Sequence, residues 1–382
     1  MKALIVTALA GFIRSFLKND IAILQSMGYE VHCAANINHA GADGLDKFFN
    51  DVNVVFHQIN FSSSKPFSKE TLKSYKELKK LINGIQFDVV HCHTPIAGAL
   101  TRIACKSKRK KGCKVLYTTH GYYFHKGSGW KSWLIFYNIE KIMSRYTDAV
   151  ITINHEDFNI AKKMHCKNVY CIPGVGVNTE RFINTTIDRE EYREKIGVKK
   201  EDFLVLAVGE LSNRKNHQII IRALAECNIP NAVFMICGNA MTSENTKEKL
   251  ESLVKELNVD LRLTGLRKDI AEICKCADIG VLPSTREGLG LAGIEMLASG
   301  LPVVASNVQG IVDYIEDGKN GYLCDPYDAH AFAEAIIKLL PLEARNKMTK
   351  TCIESSKKFD KKYSNTAMEN IYNKVLHLKQ DL

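Results

Sequence analysis

The 382-residue sequence has no apolar run that approaches the roughly 18 residues of a membrane span, so no membrane-spanning helix is predicted. Its twelve cysteines lack the paired spacing of a zinc site, which predicts reduced core residues in a cytosol. There is no Asp-x-Asp motif to hold a divalent ion, and no G-x-G-x-x-G fingerprint follows the first predicted strand. We therefore expect no bound metal and no cofactor, and the missing fingerprint argues against an NAD enzyme.

The composition is that of a soluble globular protein with about two domains, because 46% of the residues are hydrophobic and 25% are charged. The first ten residues superficially resemble a signal peptide, but the apolar run is short and Arg14 and Lys18 follow at once. A helical pattern and a second strand come next. Residues 1–35 are therefore interpreted as a βαβ unit that begins the fold.

Strand-like runs alternate with helical segments along the chain, which predicts an α/β protein with parallel sheets covered on both faces. The stretch 173–182, rich in glycine, joins two series of strands, so we expect two Rossmann-like domains facing a central cleft. The predicted strands are Ala3–Thr7, Glu30–Ala34, Val52–Gln58, Asp88–His91, Lys114–Thr118, Ala149–Ile153 and Val169–Ile172, then Phe203–Val208, Ala232–Cys237, Leu261–Leu263, Ile279–Leu282, Val303–Ala305 and Gly321–Leu323.

The net charge of +10 is concentrated in one region. Between Lys65 and Lys114 there are thirteen Lys and Arg residues against three acidic residues, and the rest of the chain is close to neutral. This region is a candidate for binding something anionic. A polyanion- or nucleic-acid-binding protein is one interpretation, and it predicts steep salt dependence and indifference to UDP. The region contains no nucleic-acid motif, so we expect no nucleic-acid partner.

Two carboxylates, Glu287 and Glu295, lie eight positions apart around a Gly-rich loop. A buried strand precedes the loop and a helix follows it, a layout that places backbone N–H groups and a helix N-terminus at the carboxyl end of a sheet. Such a position favours phosphate. A carboxylate on either side can accept hydrogen bonds from sugar and ribose hydroxyls, so the pattern predicts a nucleotide-sugar site.

This spacing resembles the E-x7-E signature of retaining glycosyltransferases of family four, which have the two-domain GT-B fold. The resemblance extends to His120-Gly121 after a strand, to the segment 208–217 after the first strand of the second domain, and to the loop 265–270. It implies an acceptor-binding domain at 1–176, a nucleotide-sugar-binding domain at 177–362 and a helix at 363–382 that crosses back to the first domain.

The resemblance also implies the residues that bind the donor diphosphate. Lys215 matches a family lysine, but the position of the family arginine is Glu210 here, and the neighbouring Arg214 is the obvious substitute. A fixed cation is needed because the leaving diphosphate gains negative charge in the transition state. The expected diphosphate-binding residues are Lys215, Arg214, Gly11, Gly290 and Leu291.

The remaining site residues follow from the same resemblance. His120 and Glu287 are the expected catalytic residues, with Glu287 holding the donor sugar. Glu295 is expected to bind the ribose, and Arg267 and Lys268 belong to the expected nucleobase loop. That loop gives little discrimination between bases, and UDP is expected from the habit of the family. No metal site is expected, and front-face attack by the acceptor hydroxyl is the favoured route to retention.

Several strings, including 91–98 and 151–157, look like those of bacterial capsular and exopolysaccharide glycosyltransferases. The implied activity is hexosyl or N-acetylhexosaminyl transfer from a UDP-sugar to a lipid-linked saccharide at the cytoplasmic face of the membrane. The basic region Lys65–Lys114 and the aromatic segment Tyr122–Tyr137 are expected to dock on an anionic membrane surface, although a core-facing helix with a solvated basic face is the alternative. A UDP-sugar epimerase of the non-hydrolysing type, which shares the fold and needs no acceptor, is the rival enzyme.

Overall fold

A computed structural model of the chain describes residues 1–39, 42–62, 66–240 and 245–376. Lys65, where the predicted basic region begins, and residues 377–382 of the predicted final helix lie outside them. The chain divides into two compact units, one formed by residues 1–175 with the segment from Lys362 onward, and one formed by residues 176–361.

The first unit contains a seven-stranded parallel sheet in the order β3-β2-β1-β4-β5-β6-β7. Strands β4 and β6 are buried along their whole length, as parallel strands covered on both faces should be. The strands are β1 (Lys2–Leu9), β2 (Glu30–Asn36), β3 (Val55–Gln58), β4 (Val89–His93), β5 (Lys114–Thr118), β6 (Ala149–Thr152) and β7 (Val169–Cys171).

Ten α-helices are described in this unit, with a π-helical turn at Trp133–Tyr137 and a 3-10 turn at Ser144–Tyr146. The helices are α1 (Ala10–Phe16), α2 (Lys18–Ser26), α3 (Leu45–Asp51), α4 (Lys69–Gly84), α5 (Pro95–Ala104), α6 (Lys106–Arg109), α7 (Trp130–Ser132), α8 (Asn138–Met143), α9 (His155–Ala161) and the C-terminal α18 (Lys361–Leu376).

The second unit contains a six-stranded parallel sheet in the order β10-β9-β8-β11-β12-β13. The strands are β8 (Phe203–Val208), β9 (Ala232–Cys237), β10 (Asp260–Gly265), β11 (Ile279–Leu282), β12 (Val303–Ser306) and β13 (Gly321–Cys324). The helices are α10 (Thr179–Asn184), α11 (Arg189–Lys195), α12 (His217–Cys227), α13 (Thr246–Leu257), α14 (Ile270–Cys276), α15 (Leu291–Ala298), α16 (Ala329–Lys338) and α17 (Leu342–Lys357), with 3-10 turns at Asn213–Lys215 and Gln309–Asp313.

The predicted fold class is confirmed, since two Rossmann-like units are built on parallel sheets and every predicted strand is present. The predicted strand Val52–Gln58 begins only at Val55. Val52 instead ends α3, and Asn53 adopts a left-handed conformation with φ of 51°, which a strand residue does not.

Helix α4 begins after Ser68, whose hydroxyl accepts a hydrogen bond from the backbone N–H of Thr71. Leu78 and Ile82 of the predicted apolar stripe are buried, but Leu72 is 57% exposed. The small residue Thr71 takes its place on the buried face. The first turn of α4 therefore presents a leucine to solvent among lysines.

No helix of the described ranges is long and apolar enough to cross a bilayer. All twelve cysteines lie within those ranges, and each is a free thiol. Ten are buried, as the prediction of core thiols requires, and only Cys171 and Cys227 are partly accessible.

A buried ion pair joins α5 to α8 beneath the sheet of the first unit. Both terminal nitrogens of Arg102 donate to the carboxylate of Glu140, at 2.8 and 3.0 Å, and its Nε donates to the carbonyl of Gly98 at 3.0 Å. The guanidinium lies 3.9 Å from the ring centroid of Tyr117. Arg102 is fully buried, so either charge without its partner would be costly.

We therefore expect Glu140→Gln to destabilise the first unit by about 3–5 kcal/mol, because it leaves the buried guanidinium without a counter-charge. The double variant Arg102→Met with Glu140→Leu should recover most of this loss, since it removes both charges. Urea unfolding monitored by tryptophan fluorescence measures the change in the free energy of unfolding of this unit, because both tryptophans, Trp130 and Trp133, belong to it. Equal stability of Glu140→Gln and the native protein would contradict the role of the pair.

Candidate functional site

The two predicted carboxylates flank a loop at the carboxyl end of β11, as the sequence pattern indicates. Glu287 lies in the loop, Gly290 ends it in a left-handed conformation with φ of 78°, and α15 begins at Leu291 without a side-chain cap. Glu295 lies in the second turn of that helix. The first turn of α15 contains no acidic residue, so its N-terminus presents the partial positive charge that favours an anion.

A tyrosine packs against Gly290 at the end of the loop and against Gly293 in α15. A Cβ atom at Gly290 would lie 3.0 Å from the hydroxyl oxygen of Tyr314, and one at Gly293 would lie 2.4 Å from it. That hydroxyl donates to the carbonyl of Gly290 at 3.0 Å, and Tyr314 is buried. Tyr314 thus fixes the entry of the chain into α15.

Glu287 is the centre of an ion cluster. Its Oε2 accepts hydrogen bonds from Nη1 of Arg214 and Nζ of Lys215, both at 2.9 Å, and from the hydroxyl of Ser284 at 3.2 Å. The side chain of Lys215 is only 10% exposed and that of Glu287 13%, whereas Arg214 is 32% exposed. Both expected phosphate-binding cations therefore lie beside the expected sugar-binding carboxylate.

Glu210, the residue that replaces the family arginine, takes part in the same cluster. Its Oε1 accepts from Nη2 of Arg214 at 3.0 Å and from the hydroxyl of Ser212 at 3.1 Å. Ser212 also begins the 3-10 turn that contains both cations, because its hydroxyl accepts from the backbone N–H of Lys215. The cluster thus contains two cations and two carboxylates, and Glu210 orients the guanidinium of Arg214.

Opposing effects act on the pKa of Glu287. Burial would raise it, but the adjacent Lys215 and Arg214 outweigh burial and hold the pKa below its usual value. Glu287 is therefore ionised at neutral pH, and the two cations remain paired. The carboxylate holds the side chains of Lys215 and Arg214 beside the loop that contains Glu287.

Glu295 behaves in the opposite way, because burial raises its pKa to about 7 and Arg181 only partly offsets this. The guanidinium of Arg181 also donates to the carbonyl of Lys268 at 2.8 Å. In the expected nucleobase loop, Nε of Arg267 donates a hydrogen bond to the carboxylate of Asp269 at 2.9 Å. The guanidinium of Arg267 is therefore engaged by a carboxylate of its own loop.

His120 and Gly11 belong to the first unit. The Nε2 atom of His120 lies 3.2 Å from Nδ1 of His93, and its ring meets that of Phe12 edge to face. Burial lowers the pKa of His120 to about 4, so its imidazole is neutral at physiological pH. The backbone N–H of Gly11, in the first turn of α1, donates to Nε2 of His39 at 3.2 Å.

Of the expected residues of the second unit, the structure thus brings Lys215, Arg214 and Glu287 into direct contact, whereas Arg267 and Lys268 lie in a separate loop after β10. Sequence reasoning missed three side chains that shape this site, Ser212, Ser284 and Tyr314. Serine two residues before Arg214 and three before Glu287 is a capping and orienting pattern that was available in the sequence. Nothing in the local sequence of Tyr314 indicates its contact with Gly290.

Both units match known protein families. Residues 188–359 match "Glycosyl transferases group 1", and residues 6–154 match "Glycosyl transferase 4-like". EpsD of Bacillus subtilis (strain 168), which carries a glycosyltransferase name, is 38% identical over 320 residues, covering 82% of this chain and 81% of that protein. The UDP-Gal:alpha-D-GlcNAc-diphosphoundecaprenol alpha-1,3-galactosyltransferase of Escherichia coli is 31% identical over 290 residues, covering 74% and 73%.

Among solved structures, Anabaena HepE in complex with UDP and glucose superposes with a TM-score of 0.78 at 19% identity, over 99% of this chain and 100% of that chain. At this identity the likeness shows the fold, which is that of GT-B glycosyltransferases. The two family matches and the two relatives above 30% identity also show the family of the chain. The chain belongs to the group 1 glycosyltransferases, and it is a transferase and not an isomerase.

Proposed function

We propose that this glycosyltransferase moves a hexose or N-acetylhexosamine from a UDP-sugar to a lipid-linked saccharide, with retention of configuration and without a metal, in capsule or exopolysaccharide synthesis. The observation that carries the proposal is the cluster of Lys215, Arg214 and Glu287 at the N-terminus of α15. It supplies fixed cations and helix N–H groups for a diphosphate, beside a carboxylate for sugar hydroxyls. HepE, which has the same fold, was solved with UDP and glucose.

In this proposal the diphosphate replaces Glu287 as a partner of Lys215 and Arg214. The bond from the sugar carbon to the phosphate oxygen breaks while the acceptor hydroxyl attacks that carbon from the same face. Its proton passes to the released phosphate oxygen, and UDP leaves. Lys215, Arg214 and the first N–H groups of α15, at Gly290 and Leu291, stabilise the charge that develops on the diphosphate. The Glu287 carboxylate then holds the donor sugar.

Three further roles complete the proposal. Glu295 accepts hydrogen bonds from the ribose diol, and the loop containing Arg267 and Lys268 receives the uracil. In the first unit, Gly11 allows close approach of the donor, and the neutral imidazole of His120 positions the reacting groups.

The proposed acceptor is a saccharide on a lipid diphosphate at the inner face of the cell membrane. The Escherichia coli relative named above acts, by its name, on a saccharide linked to diphosphoundecaprenol. Exposed lysines on α4 and exposed apolar residues such as Trp130 and Leu134 are proposed to meet the anionic membrane surface.

Substituting Glu287 distinguishes the contacts to the donor sugar from the contacts to the diphosphate. We expect Glu287→Gln to lower the rate of sugar transfer by about 100-fold or more. Its affinity for UDP should be unchanged or higher, because the competing carboxylate is gone. Transfer assays and UDP calorimetry measure the two effects, with Glu316→Gln, an exposed residue of the same unit, as control. Equal losses of turnover and UDP affinity would refute the sugar-binding role.

The raised pKa of Glu295 makes nucleotide binding depend on pH. Only the ionised carboxylate accepts from both ribose hydroxyls, and with a pKa of about 7 it is mostly protonated at pH 6 and mostly ionised at pH 8. UDP affinity should therefore rise up to roughly tenfold between these values. In the Glu295→Gln variant, the pH dependence of UDP affinity should reflect only the titration of UDP itself. If UDP affinity depended on pH in the same way in both proteins, Glu295 would be excluded from the ribose site.

The membrane proposal is tested by reversing charge on α4. Lys69, Lys73 and Lys76 are exposed, and each contributes about 1 kcal/mol near an anionic surface. Changing the three to Glu should release the protein from vesicles of phosphatidylglycerol and phosphatidylcholine in a sedimentation assay.

The matched control changes Lys247, Lys249 and Lys255 of α13 to Glu, which alters the net charge by the same amount in the second unit. It should bind the vesicles as the native protein does. Continued binding of the α4 variant would rule out this helix as the docking surface.

A further inference from the structure

The buried imidazole of His93 is hydrogen-bonded to that of His120. Strand β4 ends at His93, and His120 lies two residues beyond the end of the neighbouring strand β5. Nδ1 of His93 lies 3.2 Å from Nε2 of His120, and the two ring centroids are 5.4 Å apart. Phe12 also meets the ring of His120 edge to face. One hydrogen bond and one aromatic contact therefore hold the orientation of the His120 ring.

The two rings share a single proton at their contact. Burial lowers the pKa of both, that of His120 to about 4 and that of His93 well below its usual value, so both imidazoles are neutral at physiological pH. A neutral imidazole has one N–H donor and one acceptor nitrogen. A hydrogen bond between two such rings therefore has the proton on one of the facing nitrogens and a lone pair on the other. The tautomer of His93 thus dictates the tautomer of His120.

Packing alone does not explain a histidine at position 93. The residue is 1% exposed, and its Nε2 atom is buried without a partner among the described residues. A buried polar atom without a hydrogen bond costs free energy that a phenylalanine ring in the same place would not cost. Within the described ranges, the pair with His120 is the one hydrogen bond of the His93 side chain. That bond is what distinguishes the imidazole from an apolar ring here.

The neighbouring His91 does not compete for this pair. Its ring centroid lies 4.2 Å from that of His93. However, its Nδ1 lies 2.6 Å from the hydroxyl oxygen of Tyr372, and its Nε2 lies 2.8 Å from the hydroxyl oxygen of Thr118. Both nitrogens of His91 are therefore occupied. Of the two histidines in β4, His93 is the one that pairs with His120.

The backbone immediately after His93 is strained. Thr94 has φ of 61° and ψ of 145°, although it is β-branched and precedes Pro95, two properties that favour a negative φ. Its hydroxyl accepts a hydrogen bond from the backbone N–H of Ala8 at 3.1 Å. Strained residues of this kind persist where the surrounding contacts enforce them, and they are concentrated at functional sites. The end of β4 thus has the fixed geometry that a positioning residue needs.

Nδ1 is the nitrogen of His120 that remains for a substrate. The Nε2 atom is used by His93, whereas Nδ1 pairs with no residue that the structure describes and is not buried. The residue as a whole is partly exposed. Once the tautomer is set at Nε2, the ring presents a defined donor or a defined acceptor at Nδ1. A group held in this way needs no rearrangement when the reacting groups arrive.

We propose that His93 is a positioning residue for sugar transfer, which holds the imidazole of His120 in one orientation and one tautomer so that His120 meets the reacting groups through Nδ1. The proposal rests on the proposed function, because that function places His120 beside the reacting groups. His93 itself is buried and acts only through His120. Its substitution should therefore change turnover more than donor binding.

The tautomer of His120 is measured directly by long-range proton–nitrogen NMR of protein that contains isotope-labelled histidine. The loss of one signal in His120→Asn identifies the signal of His120. We expect a single tautomer in the native protein and a different tautomer distribution in His93→Phe, which keeps a ring but has no nitrogen to pair. His93→Asn places an amide close to the position of Nδ1 and should restore the single tautomer.

Sugar transfer is measured in the same variants with UDP-glucose and UDP-galactose as donors. The acceptor is N-acetylglucosamine on diphosphoundecaprenol, which appears in the name of the Escherichia coli relative. We expect His93→Phe to lower kcat by about tenfold or more while KM for the donor changes by less than about twofold, and His93→Asn to recover most of the loss. His32→Phe is the matched control, because it breaks the other histidine pair of this unit, in which Nδ1 of His32 lies 2.8 Å from Nε2 of His57. Its transfer rate should be that of the native protein.

A mixture of His120 tautomers in the native protein, or the native tautomer retained in His93→Phe, would overturn the proposal. So would an equal kcat in the native protein and His93→Phe, or a loss in His93→Asn as large as that in His93→Phe. The proposed function fails on a different observation, namely that the native protein does not bind UDP in calorimetry. In that case the NMR comparison would still report whether His93 sets the tautomer of His120.

Discussion

The ion cluster around Glu287 is the constraint on which the second unit's chemistry depends. Two cations, Arg214 and Lys215, follow one strand, and the carboxylate that fixes them follows the neighbouring strand. Because parallel strands end at the same edge, the sheet itself assembles the cluster. The pairing stabilises buried charge in the free protein, and in the proposed function it holds both cations in place until a diphosphate displaces the carboxylate.

Most of the fold was predictable from sequence because its strands are continuous apolar runs, and all thirteen appeared in order. The differences have local causes, such as the left-handed Asn53, which shortens β3, and Leu72, which faces solvent while Thr71 is buried. Periodicity alone does not fix the rotation of the first turn of a helix.

The proximity of Lys215, Arg214 and Glu287 was predictable, whereas the other contacts of the cluster were not. The spacing of Glu287 and Glu295 and the nearby Lys215 indicated a nucleotide-sugar loop, because those residue types follow strands at one sheet edge. That Glu210 would hold Arg214, or that Tyr314 would require Gly293, depends on contacts between segments distant in sequence. Likewise the pKa of Glu295 rises because of burial, which only the packed structure reveals.

Binding of UDP to the native protein and to Lys215→Ala tests the central claim most directly, since Lys215 is the most buried cation of the cluster. Calorimetry with UDP, GDP and ADP measures the selectivity of binding. Lys319→Ala, which removes an exposed lysine of the same unit, is the control for a general effect of charge. The account predicts selective binding of UDP that weakens by about tenfold or more in Lys215→Ala alone. Equal UDP affinity in the native protein and Lys215→Ala would contradict it.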